Sequence, residues 1–291
     1  MLWFCDQCAV PKWRNDAATE ATKDEYTVMR KISVFIALFL IDSLAHASDI
    51  TVLAAGAAKE LVARVAAPFV QVSGHRINAT FDTVGAQRER VEKGERPDGV
   101  ILSSAAIAQL SKLGLIDATS IRDVGDAQVG LAISASAATV ITADAPINSP
   151  SNFPPNISTP DALRTTLLSA KSIAYADPAR GATAGAHFAK VLVELGILEE
   201  ISGRVTVLPF GVEVIEAVAA GKYEIGISQS SEIVQHKGVR YIGALPAPHQ
   251  LATRYQIAAL KGRPLGVSLA AFVATELGRQ ASRDSGFETP R

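Results

Sequence analysis

The stretch Ser172-Ile-Ala-Tyr-Ala-Asp-Pro-Ala-Arg-Gly-Ala-Thr-Ala-Gly-Ala-His-Phe-Ala-Lys-Val-Leu192 decides the fold class of this 291-residue chain. A short apolar run at 172–176 stops at Asp177-Pro178, and apolar residues then recur at helical spacing over 184–195. A strand handing over to a helix is the unit from which sheets covered by helices on both faces are built. The handover consists of Gly181, Ala182, Thr183, Ala184 and Gly185, side chains too small to screen the backbone, so amides at the helix start are open to a ligand. Neither G-x-G-x-x-G nor G-x-x-x-x-G-K-[ST] occurs there, which excludes a nucleotide loop of those kinds. The competing reading is an ordinary strand–helix turn that needs glycine for its backbone angles.

The alternation continues outward in both directions. Upstream, the spacing predicts a strand at 49–55 and a helix at 57–70 with Leu61, Val65 and Phe69 on one stripe. A strand at 75–81, a helix at 86–93, a strand at 98–102 and a helix at 105–113 follow, the last stopped by Gly114. The stretch 144–160 holds five prolines and reads as a loop. Ser158-Thr159-Pro160-Asp161 then opens a helix at 162–168. Downstream come a strand at 204–208, a helix at 212–220 and a strand at 224–228. Two α/β units with a mostly parallel sheet are expected.

The N-terminal part reads differently. Met29-Arg30-Lys31, the apolar run 32–40 and Ala45-His46-Ala47 have the basic, greasy and small-x-small order of a secretory signal peptide. Cleavage after Ala47 is expected, leaving Ser48 first, with residues 1–28 upstream of the working initiator. Cys5 and Cys8 fall in the removed part, and the chain beyond Ala47 has no cysteine, methionine or tryptophan. It carries 23 basic and 23 acidic residues, a balance that excludes nucleic-acid or membrane-surface binding driven by net field. At 48% hydrophobic and 6% aromatic, the core must rest on Ala, Val, Ile and Leu. His75, His187, His236 and His249 are scattered without H-E-x-x-H, so neither a metal nor a cofactor is expected. Ser103-Ser104 lacks a histidine and acid in series, and Asp82, Asp98 and Asp177 sit at strand ends where acids cap turns. An enzyme is not expected.

Four segments in order carry a resemblance: Asp49-Ile-Thr-Val-Leu-Ala-Ala-Gly-Ala57, Glu92-Lys-Gly-Glu-Arg-Pro-Asp-Gly-Val-Ile-Leu-Ser103, Tyr175-Ala-Asp-Pro178 and Tyr223-Glu-Ile-Gly-Ile-Ser228. Over 49–260 the chain resembles the molybdate-binding-protein family of ABC-transporter periplasmic receptors. The resemblance implies a type II periplasmic binding protein: two doubly wound α/β lobes joined by two crossing strands, near 130–134 and 228–232. Lobe 1 would comprise 48–131 and 231–291, and lobe 2 would comprise 132–230. It further implies a periplasmic monomer that closes on a small anion and delivers it to a permease, with no membrane insertion of the mature chain. A cleft at strand carboxyl ends and helix N-termini suits an anion on physical grounds too. An N-terminal DNA-binding helix pair, which regulators built on this fold carry, does not precede the first strand.

Candidate ligand-binding residues follow from the turns that would face this cleft: Gly56 and Ala57, Thr83 and Val84, Ser103, Arg180, Gly181, Ala182 and Thr183, Val212, and Gln229. The family's usual serines are replaced by Ala57 and by Thr83 beside Val84, and its usual tyrosine by Gln229. Each hydroxyl missing from a dry anion site costs about 1–3 kcal/mol. Arg180 beside a helix start can grip a carboxylate bidentately, and Arg88, Arg90 and Arg254 are further candidates. The preferred ligand is therefore an organic di- or tricarboxylate. Molybdate or tungstate is the alternative, and an enzyme on the same fold a lower one.

Overall fold

A computed structural model describes residues 49–138 and 155–290. The expected signal peptide, the Cys5/Cys8 pair and most of the proline-rich loop lie outside the described residues. The elements alternate as expected at first: β1 (Asp49–Ala55), α1 (Lys59–Ser73), β2 (Arg76–Asp82), α2 (Val84–Glu92), β3 (Gly99–Ser103) and α3 (Ser104–Lys112). A 3-10 turn, Gly56–Ala58, joins β1 to α1. Then come β4 (Arg122–Ser134), α4 (Ala135–Ala138), α5 (Pro160–Ser169), β5 (Ile173–Ala176), α6 (Thr183–Glu194), α7 (Leu198–Ile201), β6 (Val205–Leu208) and α8 (Gly211–Ala219). The chain closes with β7 (Ile225–Gln229), α9 (Ser230–Ile233), β8 (Val239–Ala244), β9 (Ala252–Ala259), α10 (Pro264–Val273) and α11 (Glu276–Asp284).

The strands lie in the order β2-β1-β3-β9-β4-β7-β5-β6, with β8 also on β4. β1 pairs in parallel with β2 and β3, and β5 with β6 and β7. Every pairing of β4 and β9 is antiparallel, so the sheet is mixed rather than mostly parallel. The reason is topological: a strand that arrives from the other half needs no crossover helix, which only parallel neighbours require. The thirteen residues of β4 are shared, Arg122 to Gln128 pairing with β9 and Val129 to Ser134 with β7 and β8. The chain goes back between β8 and β9, where Val129 donates to the Leu251 carbonyl and accepts from the Leu245 amide. This is later than the expected 228–232, because β8 first adds a strand to the second half.

Each half has its own apolar core. In the first, Ile50, Val52, Val100 and Leu102 of the central strands meet Leu61, Val65 and Phe69 of α1, and Phe69 packs edge-on against Phe272 of α10 at 5.3 Å. In the second, Leu131, Ile133, Ile173 and Ile227 meet Leu163 and Leu167 of α5 and Phe188 of α6, with Tyr175 edge-on to Phe188 at 5.3 Å. The opposite face of the second half is covered by Val214 and Ile215 of α8 over Ala132, Ala174 and Ala176. β3 is buried at all five positions, as a central strand covered on both faces must be. The fold is thus two α/β lobes, each a sheet with helices on both sides. No helix among the described residues is long and apolar enough to cross a membrane.

Candidate functional site

The carboxyl ends of β1, β2, β5 and β6 converge on one cavity of ≈ 310 Å³. Each of these strands hands over there to a helix. Gly56 and Ala57 come from the turn after β1, Thr83 and Val84 from that after β2, Ala182 and Thr183 from that after β5, and Gly211 and Val212 from the start of α8. Ser228 and Gln229 at the end of β7, Glu232 of α9 and Tyr255 of β9 complete the lining, with Lys59, Glu213 and Glu216 also facing it.

Three of these helix starts have no side-chain cap. The N-cap positions Ala55, Ala182 and Phe210 make no capping hydrogen bond, whereas Thr83 caps α2 by accepting from the Ala86 amide at 3.2 Å. Leading amides of a helix lack internal partners and carry a partial positive charge. The three uncapped starts therefore leave donors for a ligand to satisfy.

Eight of the expected residues are brought together here: Gly56, Ala57, Thr83, Val84, Ala182, Thr183, Val212 and Gln229. Ser103, Arg180 and Gly181 do not line the cavity. Ser103 is buried and caps α3 through the Ala106 amide at 3.4 Å. Arg180 reaches Asp82 instead, Nη2 lying 3.2 Å from Oδ1, with its guanidinium 4.8 Å above the Phe210 ring. One of its terminal nitrogens is thus engaged by a carboxylate of the other lobe. Gly181 packs its backbone on Gly85, whose amide donates to the Gly181 carbonyl at 3.2 Å. The Thr83 hydroxyl donates to the Arg180 carbonyl beside it. These contacts tie the turn after β2 in one lobe to the turn after β5 in the other. The other arginines are engaged elsewhere, Arg88 with Gln109 and Glu92, Arg90 with Glu95, and Arg254 with Asp126.

Glu232, Tyr255, Ser228 and Lys59 were not singled out from sequence. Glu232 Oε2 accepts from the Ser228 hydroxyl and from the Gln229 amide at 3.4 Å. Burial pushes its carboxyl above the ordinary glutamate range, the bonds from Ser228 and Gln229 opposing this only in part. Tyr255 is 2% exposed. Burial, followed by the neighbouring Glu232 charge, raises its phenol, while Thr183 and Gln229 bond to it. Gln229 donates through Nε2 to Thr253 at 3.2 Å. Lys59 makes no ion pair among the described residues and lines the cavity together with Glu213 and Glu216. Asp82 is offset by Arg180, and Glu216 is exposed.

The sequence and fold have counterparts among known proteins. An aconitate isomerase from Pseudomonas sp. is 24% identical over 251 residues, covering 83% of this chain and 88% of the relative. The periplasmic molybdate-binding protein of Azotobacter vinelandii superposes with a TM-score of 0.64 at 15% identity, covering 83% of this chain and 100% of the other. The periplasmic binding protein AfuA of Actinobacillus pleuropneumoniae, with fructose-6-phosphate bound, gives 0.62 at 12% identity, covering 82% and 83%. These likenesses establish the type II periplasmic binding fold. Residues 50–288 match the family described as bacterial extracellular solute-binding protein, and the chain belongs to that family.

Proposed function

We propose that the protein captures a small organic anion, a di- or tricarboxylate, between its lobes and presents it to an ABC transporter. The observation that carries this reading is the convergence of three uncapped helix starts on one cavity. Backbone donors in a partly dry site favour negative charge. Lys59 adds a cation to these donors. The cavity volume of ≈ 310 Å³ corresponds to roughly ten waters, room for an organic acid and more than one tetrahedral oxyanion fills. The relative named for aconitate, a tricarboxylate, supports the same ligand class.

In this reading capture is the primary role and the chain acts as a monomer in the periplasm, after removal of the leader at Ala47. The lobe built on β1–β3 and β9 and the lobe built on β5–β8 close on the ligand through its higher affinity for the closed form. Thr83, Val84, Ala57, Thr183 and Val212 contact the anion, Gln229 and Tyr255 bound it, and Arg180 latches the mouth.

A thermal-shift panel tests the reading, with citrate, cis- and trans-aconitate, succinate, molybdate, tungstate and sulfate as candidate ligands. A ligand at a hundred times its Kd stabilises the folded state by about 2.7 kcal/mol. A shift with a carboxylate is the expected result. A response to molybdate or tungstate alone transfers the assignment to an oxyanion receptor.

A further inference from the structure

A receptor for anions is hindered by a carboxyl group in its binding site, yet Glu232 lines this one. Its two oxygens are treated differently. Oε2 is held by the Ser228 hydroxyl and the Gln229 amide, whereas Oε1 accepts no hydrogen bond among the described residues. Oε1 faces the turn after β1, 3.0 Å from where a Cβ on Gly56 would stand. A side chain at Gly211 would collide with the same carboxyl and with the Ser228 hydroxyl, so two glycines leave the group uncovered.

Polar side chains of both lobes surround it. Ser228 and Gln229 of β7 orient it, Tyr255 of β9 keeps its proton through burial, and Lys59 of α1 and Glu213 and Glu216 of α8 line the same cavity. Glu232 is thus a carboxyl with one anchored oxygen, one free oxygen and a raised proton affinity, in a cavity where uncapped helix starts and Lys59 supply donors able to hold carboxylates. Those are the requirements for moving a proton on carbon: a carboxyl whose proton affinity is raised above the ordinary glutamate range, and preorganised dipoles where charge develops.

We infer that the cleft, besides holding an organic anion, isomerises it: Glu232 Oε1 carries a proton between the two ends of an allylic system in an unsaturated polycarboxylate. The inference rests on the organic-anion reading above. In the first half, the C–H bond of a methylene between a carboxylate and the C=C bond breaks and an O–H bond forms on Oε1. The freed electron pair becomes the new C=C bond, and the old double-bond pair moves onto the far carbon and its conjugated carboxylate. In the second half the O–H bond breaks and a C–H bond forms at that far carbon. The product is an isomer of the substrate, Glu232 returns to its starting state, and no oxidant, reductant or cofactor is consumed. The helix-start amides hold the carboxylate that bears the transient charge, and Gln229 and Tyr255 bound the space in which the carbon chain turns.

The test uses the full chain in D2O with trans-aconitate as probe, followed by proton NMR alongside a thermal-shift measurement. The expected result is loss of the methylene signal to deuterium together with appearance of the cis isomer. E232Q should slow both by about 100-fold or more while still being stabilised by the probe, since Gln also serves at the third position of a capping box. Ser228→Ala removes a bond that favours the ionised carboxyl, so its pH–rate midpoint should move to higher pH. Should E232Q lose binding, the Ser228→Ala midpoint decides, and an unmoved midpoint overturns the inference. Undiminished exchange in E232Q also overturns it. So does a wild-type protein that is stabilised by the probe yet exchanges nothing, which would leave Glu232 a neutral donor to a ligand that is only held. Absence of stabilisation by every carboxylate is a different result and removes the organic-anion reading itself.

Discussion

A close joint between the lobes is the backbone contact of Gly85 with Gly181, and it yields a quantitative test of the proposed closure. A methyl group on Gly85 would lie 2.7 Å from the Gly181 Cα and 3.0 Å from the Arg180 carbonyl oxygen. Carbon atoms settle at about 3.5–4.0 Å, so G85A must part the two turns by about 1 Å. It also stretches the Gly85 amide to Gly181 carbonyl bond of 3.2 Å and the adjacent bond from Thr83 to Arg180. Overpacking of this size costs about 1–3 kcal/mol. In the proposed closure the two turns part when the ligand leaves, so the cost falls on the closed form. Affinity for the ligand found by the panel should weaken by roughly 5- to 150-fold, measured by titration calorimetry, while melting of the ligand-free protein hardly changes. An affinity within about twofold of wild type would mean that the contact is not made in the bound form. A fall in ligand-free melting as large as the loss of binding energy would mean that Gly85 serves the fold and not closure.

Three further outcomes follow from the same geometry. Arg180→Ala removes a half-exposed ion pair worth about 0–1 kcal/mol, so affinity measured by calorimetry should drop less than about fivefold; a far larger loss would restore the arginine as a direct ligand contact. Glu232 has a folded pKa raised above the ordinary 4.5, so the native state binds its proton more tightly than the unfolded chain and stability falls as pH rises through that window. Glu232→Gln should therefore raise the melting temperature more at pH 7.5 than at pH 4.5, and an equal change at both would show that burial does not raise its proton affinity. Phe188→Ala empties a fully buried site against Tyr175 and should cost about 3–5 kcal/mol in denaturant unfolding.

Local pattern carried most of the fold. Strands and helices over 49–113 and 172–229 stand within a few residues of their expected places, because alternating apolar runs and small-residue turns are local properties. Gly114 stops α3 at φ +72°, as its position suggested. The antiparallel insertion of β4, β8 and β9 was not legible. Arg122-Asp-Val-Gly-Asp-Ala-Gln128 carries too few apolar residues at its start to stand out as a strand, and its partner Ala252–Ala259 is more than a hundred residues away. What makes these strands is the lobe boundary they cross, a feature of the assembled fold.

The site divides along the same line, and the division bears on how its ligand is chosen. The turns that present amides were readable, since a helix start that must stay open needs small residues next to a strand, as at Gly56-Ala57 and Ala182-Thr183. Arg180 was readable as a charge but not as a neutralised one, because Asp82 lies 98 positions upstream. Glu232 and Tyr255 reach the cavity from the second half and from the crossing strand. Their sequence signals, a Gln229-x-x-Glu232 capping pattern and the alternating burial of Thr253, Tyr255 and Ile257, report only local structure. Backbone amides attract any small anion alike, whereas Ser228, Gln229, Glu232 and Tyr255 impose shape, proton affinity and hydrogen-bond direction. The general task of holding negative charge therefore resides in turns fixed by the fold. Choice among anions, and any chemistry done on them, resides in side chains on β7, α9 and β9, where substitutions can change the ligand while the uncapped helix starts stay in place.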